Sequence, residues 1–114
     1  MEFKELVDIV FKHYYMFDDK TEINLITKEG KTFRMYHEQD CCETVSIDDI
    51  NGDLNDIVNE PILLAEEVSN SGENEYGTET WTFYKLSTIK GTVVIKWYGE
   101  SNGYYSEDVS YEWM

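Results

Sequence analysis

At 114 residues, with 41% apolar and 15% aromatic side chains, the chain has the material for one folded domain, 1–114, and too little length for two. Its 24 acids against 9 bases give a formal charge of −15, which argues against direct contact with nucleic acid or anionic lipid, since such affinity is built from lysine and arginine at phosphates. The N-terminus lacks the small-residue cleavage site of a signal peptide and no apolar run is long enough to cross a bilayer, so a cytoplasmic setting without membrane contact is expected.

Phe3, Leu6, Val7, Val10 and Tyr14 recur at helical spacing with Glu2, Lys4, Glu5, Asp8 and Lys12 on the other side, which predicts an amphipathic N-terminal helix ending before Asp18. Glu22 to His37 reads as a hairpin around Lys28-Glu29-Gly30. A three-residue loop with Gly30 left-handed pairs Leu25 with Phe33, Ile23 with Met35 and Asn24 with Arg34, giving one clean apolar face, and by the same parity aims His37 at the core. Residues 46–58 read as two short helical turns, with Ser46 and Asp53 as caps and Gly52 as a stop. Ile62 to Val68 is a third strand and Ser69 to Thr78 a polar mobile loop. Thr80–Leu86, Thr92–Tyr98 and Tyr104–Trp113 alternate as strands, with Trp81 and Phe83, then Val93, Ile95 and Trp97, then Val109, Tyr111 and Trp113 marking one face of each. The expected fold is α+β: an N-terminal helix packed on a five- or six-stranded, mainly antiparallel sheet.

Three places carry candidate chemistry. The acids are unevenly spread: between Arg34 and Lys85 there is no lysine or arginine, and Glu38, Asp40, Glu43, Asp48, Asp49, Asp53 and Asp56 open that stretch. Such a run projects a negative field that a basic partner would cover, or serves only to keep the domain soluble. His37, Cys41 and Cys42 in YHEQDCCET offer three zinc ligands, but the separated cysteine pairs of structural zinc sites are absent. Adjacent cysteines exclude a loop-closing disulfide; reduced thiols are the default, and a vicinal disulfide the alternative. Around Asn102-Gly103, the aromatics Tyr98, Tyr104 and Tyr105 have the composition of a contact surface, or of a base-stacking wall running from Trp97 to Tyr105. The EF-hand register of IDDINGDLNDIV fails at Ile47 and Val58, where carboxylates are required. No GxSxG, P-loop or HExxH selects a catalytic group, so an enzyme is the lesser reading.

HEQDCCE, the DI and GDL around residues 49–54, ILLAEEV, WTFYKLSTIKG and WYGESNGYYSE resemble a domain-of-unknown-function family of small acidic proteins encoded mainly by bacteriophages and prophages, over about residues 22–111. The resemblance leaves the N-terminal segment outside and brings no catalytic residue or cofactor. It implies a phage setting, in which small acidic proteins often occupy basic host surfaces. The expected function is therefore a non-enzymatic accessory protein that inhibits or redirects a basic host protein, such as a CRISPR effector or other defence nuclease, through the acidic stretch, with nucleic-acid mimicry as one mode. The alternative is a metal-binding or nucleotide-binding protein centred on His37, Cys41, Cys42 and the Trp97–Tyr105 aromatics. A third reading is an assembly protein working as an oligomer.

Overall fold

The structure, a computed structural model, describes residues 1–114. It is built almost wholly of strands: β1 (Phe11–Met16), β2 (Glu22–Thr27), β3 (Thr32–Tyr36), β4 (Thr44–Asn51), β5 (Leu64–Asn74), β6 (Gly77–Thr88), β7 (Gly91–Ser101) and β8 (Ser110–Trp113). They form two four-stranded antiparallel sheets, ordered β1-β2-β3-β8 and β4-β7-β6-β5. The expected α+β architecture is thus overturned: no helix packs on a sheet, and the only helical pieces are 3-10 turns at Phe3–Leu6 and Leu54–Ile57.

The N-terminal periodicity is real for one turn only. Phe3 and Leu6 are buried, but Val7 and Val10 are 38% and 41% exposed, and Asp8 takes a positive φ of 75° that ends the helical path. Its N–H donates to the Ile62 carbonyl at 2.8 Å, and Val10 bridges to Pro61. Beyond it the β-branched and aromatic residues from Ile9 to Phe17 favour extended backbone, and Phe11–Met16 pairs with β2.

The β2–β3 hairpin has the expected register, Ile23 with Met35, Asn24 with Arg34 and Leu25 with Phe33. Thr27 N–H donates to the Lys31 carbonyl at 2.8 Å across the three-residue loop, and Gly30 sits at φ 88°, where a Cβ would be strained. The helical reading of residues 46–58 is corrected: Ser46 is not a cap but lies within β4, whose Val45 and Ile47 turn inward against β7. Asp53 does cap, its side chain accepting from Asn55 N–H at 2.9 Å, and only Leu54–Ile57 turns.

The supposed mobile loop 69–78 is also strand, carried by β5 and β6 up to a tight turn where Tyr76 N–H donates to Asn74 Oδ1 at 3.0 Å. Its side chains are polar because this end of β5 runs past the core with both faces in water, so no alternation marks it. Gly77 is required by close approach: a Cβ there would strike the Ser101 carbonyl and come within 2.8 Å of Asn102 Cα. Gly77→Ala is expected to cost about 1–3 kcal/mol, the usual range for forcing atoms into filled space, read as a lower urea midpoint. On β6 the inward face is Thr80, Thr82, Tyr84, Leu86 and Thr88, so the face marked by Trp81 and Phe83 is the outer one. Residues 104–109 are not strand, and β8 contributes only its last four residues beside β3.

One apolar core joins the sheets. Ile23, Leu25, Phe33 and Met35 from one meet Ala65, Leu86, Val93, Ile95 and Trp97 from the other, and the 3-10 residues Phe3, Leu6 and Ile57 close its edges. Phe3 bridges the layers, its ring 4.8 Å from Tyr84 and 6.2 Å from Phe33, while Tyr84 meets Tyr111 edge-on at 6.1 Å.

Candidate functional site

Strand parity carries His37 inward at the end of β3, and its side chain is almost wholly buried. Its Nδ1–H donates to the Asp108 carbonyl at 2.7 Å, and Nε2 meets Glu43 Oε2 at 2.8 Å. Glu43 Oε2 also accepts from Asp40 N–H at 3.0 Å and Oε1 from Cys41 N–H at 2.9 Å, while Gln39 Nε2 donates to the Glu43 carbonyl at 2.8 Å. Burial pushes the Glu43 carboxyl up, but the His37 contact and the backbone donors outweigh it and hold it at about 2. The Asp108 carbonyl fixes Nδ1 as a donor, and Nε2 is left facing the Glu43 carboxylate. The arrangement folds residues 37–43 around one buried carboxylate and ties them to the segment after β7.

Its pH signature follows from linkage. A carboxyl lowered from 4.5 to about 2 stabilises the fold fully above pH 4.5, and that stability is lost as pH falls toward 2. Protonating the many other acids relieves repulsion and acts in the opposite direction, so the informative quantity is a difference. Between pH 4.5 and 2 the stability gap between wild type and Glu43→Gln is expected to shrink steadily; urea midpoints across that range measure it.

A second carboxylate is sunk in the segment that His37 contacts. Glu107 accepts from Thr78 Oγ1 at 2.6 Å, Ser101 Oγ at 2.6 Å and Thr80 Oγ1 at 2.7 Å, three hydroxyls from β6 and β7. Burial raises its pKa, and the hydroxyls of Ser101, Thr78 and Thr80 more than reverse that, so it stays ionised without a cation. The sequence reading missed Glu107; the available signal was the alternating threonine run 78, 80, 82.

The expected site residues separate into distinct places. Glu38, Asp40, Asp48, Asp49 and Asp53 are exposed, Asp48 with Lys96 Nζ at 3.4 Å, and Asp56 is half-buried against Gly91. Glu43 leaves this set, because its carboxylate is internal. His37, Cys41 and Cys42 do not converge on a metal: both ring nitrogens are engaged and the two sulfurs are bonded to each other, so the free-thiol expectation is also corrected. The chain bends at this pair, which brings together side chains that an extended backbone would hold apart. No group of three or more His, Cys, Asp or Glu stands ready for an ion.

The Trp97–Tyr105 stretch is not one stacking wall. Trp97 is buried in the core, and Tyr98 lies on the outer face, 4.2 Å from the Trp81 ring. Tyr98 donates to Glu79 Oε2 at 2.8 Å, and this bond, then burial, pushes it up to about 12. Asn102 turns the chain by accepting from Tyr104 N–H at 3.1 Å, leaving Tyr104 87% exposed and Tyr105 half-buried.

A family model described as a domain of unknown function, DUF7448, matches residues 3–111. The chain belongs to this family. The match takes in the 3-10 turn and β1, which the sequence resemblance had left out, and so covers both sheets. No curated protein and no solved structure matches the chain. No helix of this DUF7448 chain is long and apolar enough to cross a membrane.

Proposed function

We propose that the chain is a non-enzymatic binding protein of bacteriophage type that occupies a basic surface of a host protein through its exposed acids. A nucleic-acid-binding surface, such as that of a defence nuclease, suits it as a target, because closely spaced carboxylates stand in for phosphates. The observation carrying this reading is the uncompensated charge. Of 24 acids, only Glu2, Glu22, Asp48 and Glu112 have a lysine or arginine within 4 Å and Glu43 a histidine, while Glu38, Asp40, Asp49 and Asp53 face water within a stretch free of lysine and arginine.

The buried pair and Glu107 serve this function by holding the surface in place. They fix the two ends of the acidic stretch to the segment after β7, so that the exposed carboxylates are presented from a rigid frame and lose little freedom on binding. Reversing Asp48, Asp49, Asp53 and Asp56 together to lysine is the test. The variant loses the Asp53 cap, about 1 kcal/mol, together with the Asp48–Lys96 pair and the half-buried Asp56 carboxylate, so circular dichroism must show it folded before capture is compared. The variant is expected to lose the partner that wild type captures from a bacterial lysate at low salt; equal capture by both proteins contradicts the proposal.

A further inference from the structure

Each sheet has two edge strands, and three of the four are disarmed. β1 carries Lys12 and a register break between Phe11 and His13, and β8 has only four residues. β4 is bulged between Ile47 and Asp49, and Ile47 N–H is already taken by the Lys20 carbonyl at 2.8 Å. Bulges, lysines and shortness are the means by which edges avoid unwanted pairing. β5 has none of them: eleven residues in unbroken register with β6, without lysine or proline, and outside that ladder no backbone group from 65 to 73 makes a backbone hydrogen bond.

The surroundings of this edge are mostly anionic and aromatic. Glu66, Glu67 and Glu73 lie on β5, Glu66 opposite Lys85, and a groove along its first residues is bordered by Glu2, Phe3, Lys4 and Tyr111, with Lys4 paired to Glu2. Glu67 and Tyr111 also border a hollow on the inner side with Tyr84, Thr82 and Asp108. There the fully buried Tyr84 hydroxyl lies toward Glu67 without a well-formed hydrogen bond. A second copy of the chain would set its own Glu66, Glu67 and Glu73 against these, whereas a cationic strand complements them.

We propose that β5 receives the partner by strand addition: an extended segment bearing lysine or arginine pairs along its open edge, and one cationic side chain enters the hollow between Glu67 and Asp108, against Tyr84 and Tyr111. This rests on the reading of the chain as a binder of basic surfaces and adds a second contact, at the edge of the sheet opposite to β4 and its Asp48 and Asp49. The backbone supplies the added hydrogen bonds, the carboxylates select the charge, and the aromatic faces favour a desolvated cation.

The probe is a labelled octapeptide of alternating lysine and valine, compared with the same peptide N-methylated at every internal residue, which keeps the charge but removes the backbone donors. Binding is followed by fluorescence anisotropy, and hydrogen exchange by NMR on the intact protein. The unmethylated peptide is expected to slow exchange of β5 amides by roughly tenfold or more and to bind about tenfold tighter than its methylated form, with Glu67→Gln weakening it severalfold. Equal binding of both peptides with unchanged β5 exchange overturns strand addition while leaving the acidic-surface reading standing. Failure of both peptides to bind at low salt overturns both. Slow β5 exchange that appears without peptide and grows with protein concentration contradicts the proposed occupant and assigns the edge to a second copy.

Discussion

Phe33→Ala is expected to destabilise the fold by about 3–5 kcal/mol, the cost of removing a buried phenylalanine together with the cavity left behind. Phe33 is wholly buried and sits at the centre of an aromatic cluster, with ring centroids 5.3 Å from Trp113, 5.7 Å from Tyr111, 6.2 Å from Phe3 and 6.5 Å from Phe11. It therefore joins β3 to β1, β8 and the N-terminal turn at once. Domains of this size are stable by roughly 5–15 kcal/mol, so the variant should be partly unfolded at room temperature in mild urea. Tyr104→Ala, at the most exposed aromatic, should change stability by less than about 0.5 kcal/mol. Equilibrium urea unfolding compares the two; a loss under about 1 kcal/mol at Phe33 would mean that the sheets do not share this core.

Glu107→Ala should cost roughly 2–4 kcal/mol, because three hydroxyls lose their common acceptor inside the fold and each such group costs about 1–3 kcal/mol when left unpaired. The upper end is softened because Thr78 Oγ1 and Ser101 Oγ stand 3.3 Å apart and can turn to each other. Thr80→Val removes one of the three bonds and should cost less, about 1 kcal/mol. Glu107→Gln keeps the shape and one strong acceptor and should fall between the two. Because the native carboxyl lies below its ordinary pKa, its stabilisation is present at neutral pH and is lost on acidification, as for Glu43. A Glu107→Ala variant as stable as wild type at pH 7 would show that this carboxylate is solvated rather than held.

These two sites show where the sequence was and was not readable. The β2–β3 hairpin was legible because both strands alternate cleanly and Gly30 forces the loop, so only one register leaves a pure apolar face. The N-terminal helix was not, since Phe3 and Leu6 keep helical spacing for one turn and nothing in the pattern announces the positive φ at Asp8. β5 and β6 beyond the core carry polar residues on both faces, and hydrophobic periodicity is silent on such strands. Trp81 and Phe83 marked one face of β6 without saying which side it took, and the threonines opposite them are the residues that face the core and Glu107. At the site, His37 could be aimed inward by parity alone. Its partner Asp108 lies 71 residues away, a contact that no local spacing encodes, and the inward turn of Glu43 depends on the bend at Cys41-Cys42.

HEQDCCE and GYYSED are thus joined as one internal clasp through His37 and Glu43, with Cys41 and Cys42 bonded to each other at its bend. On the proposed reading the exposed acids make the contact with the partner, and electrostatics is the force behind it. Attraction of this kind is screened over about 10 Å at 0.1 M salt, so it has a direct thermodynamic signature. The decisive measurement is the dissociation constant of the captured complex between about 0.05 and 0.5 M sodium chloride. Recognition through the acidic surface predicts a loss of affinity of roughly a hundredfold or more across that range. An affinity that holds constant would contradict it and point to an apolar interface instead.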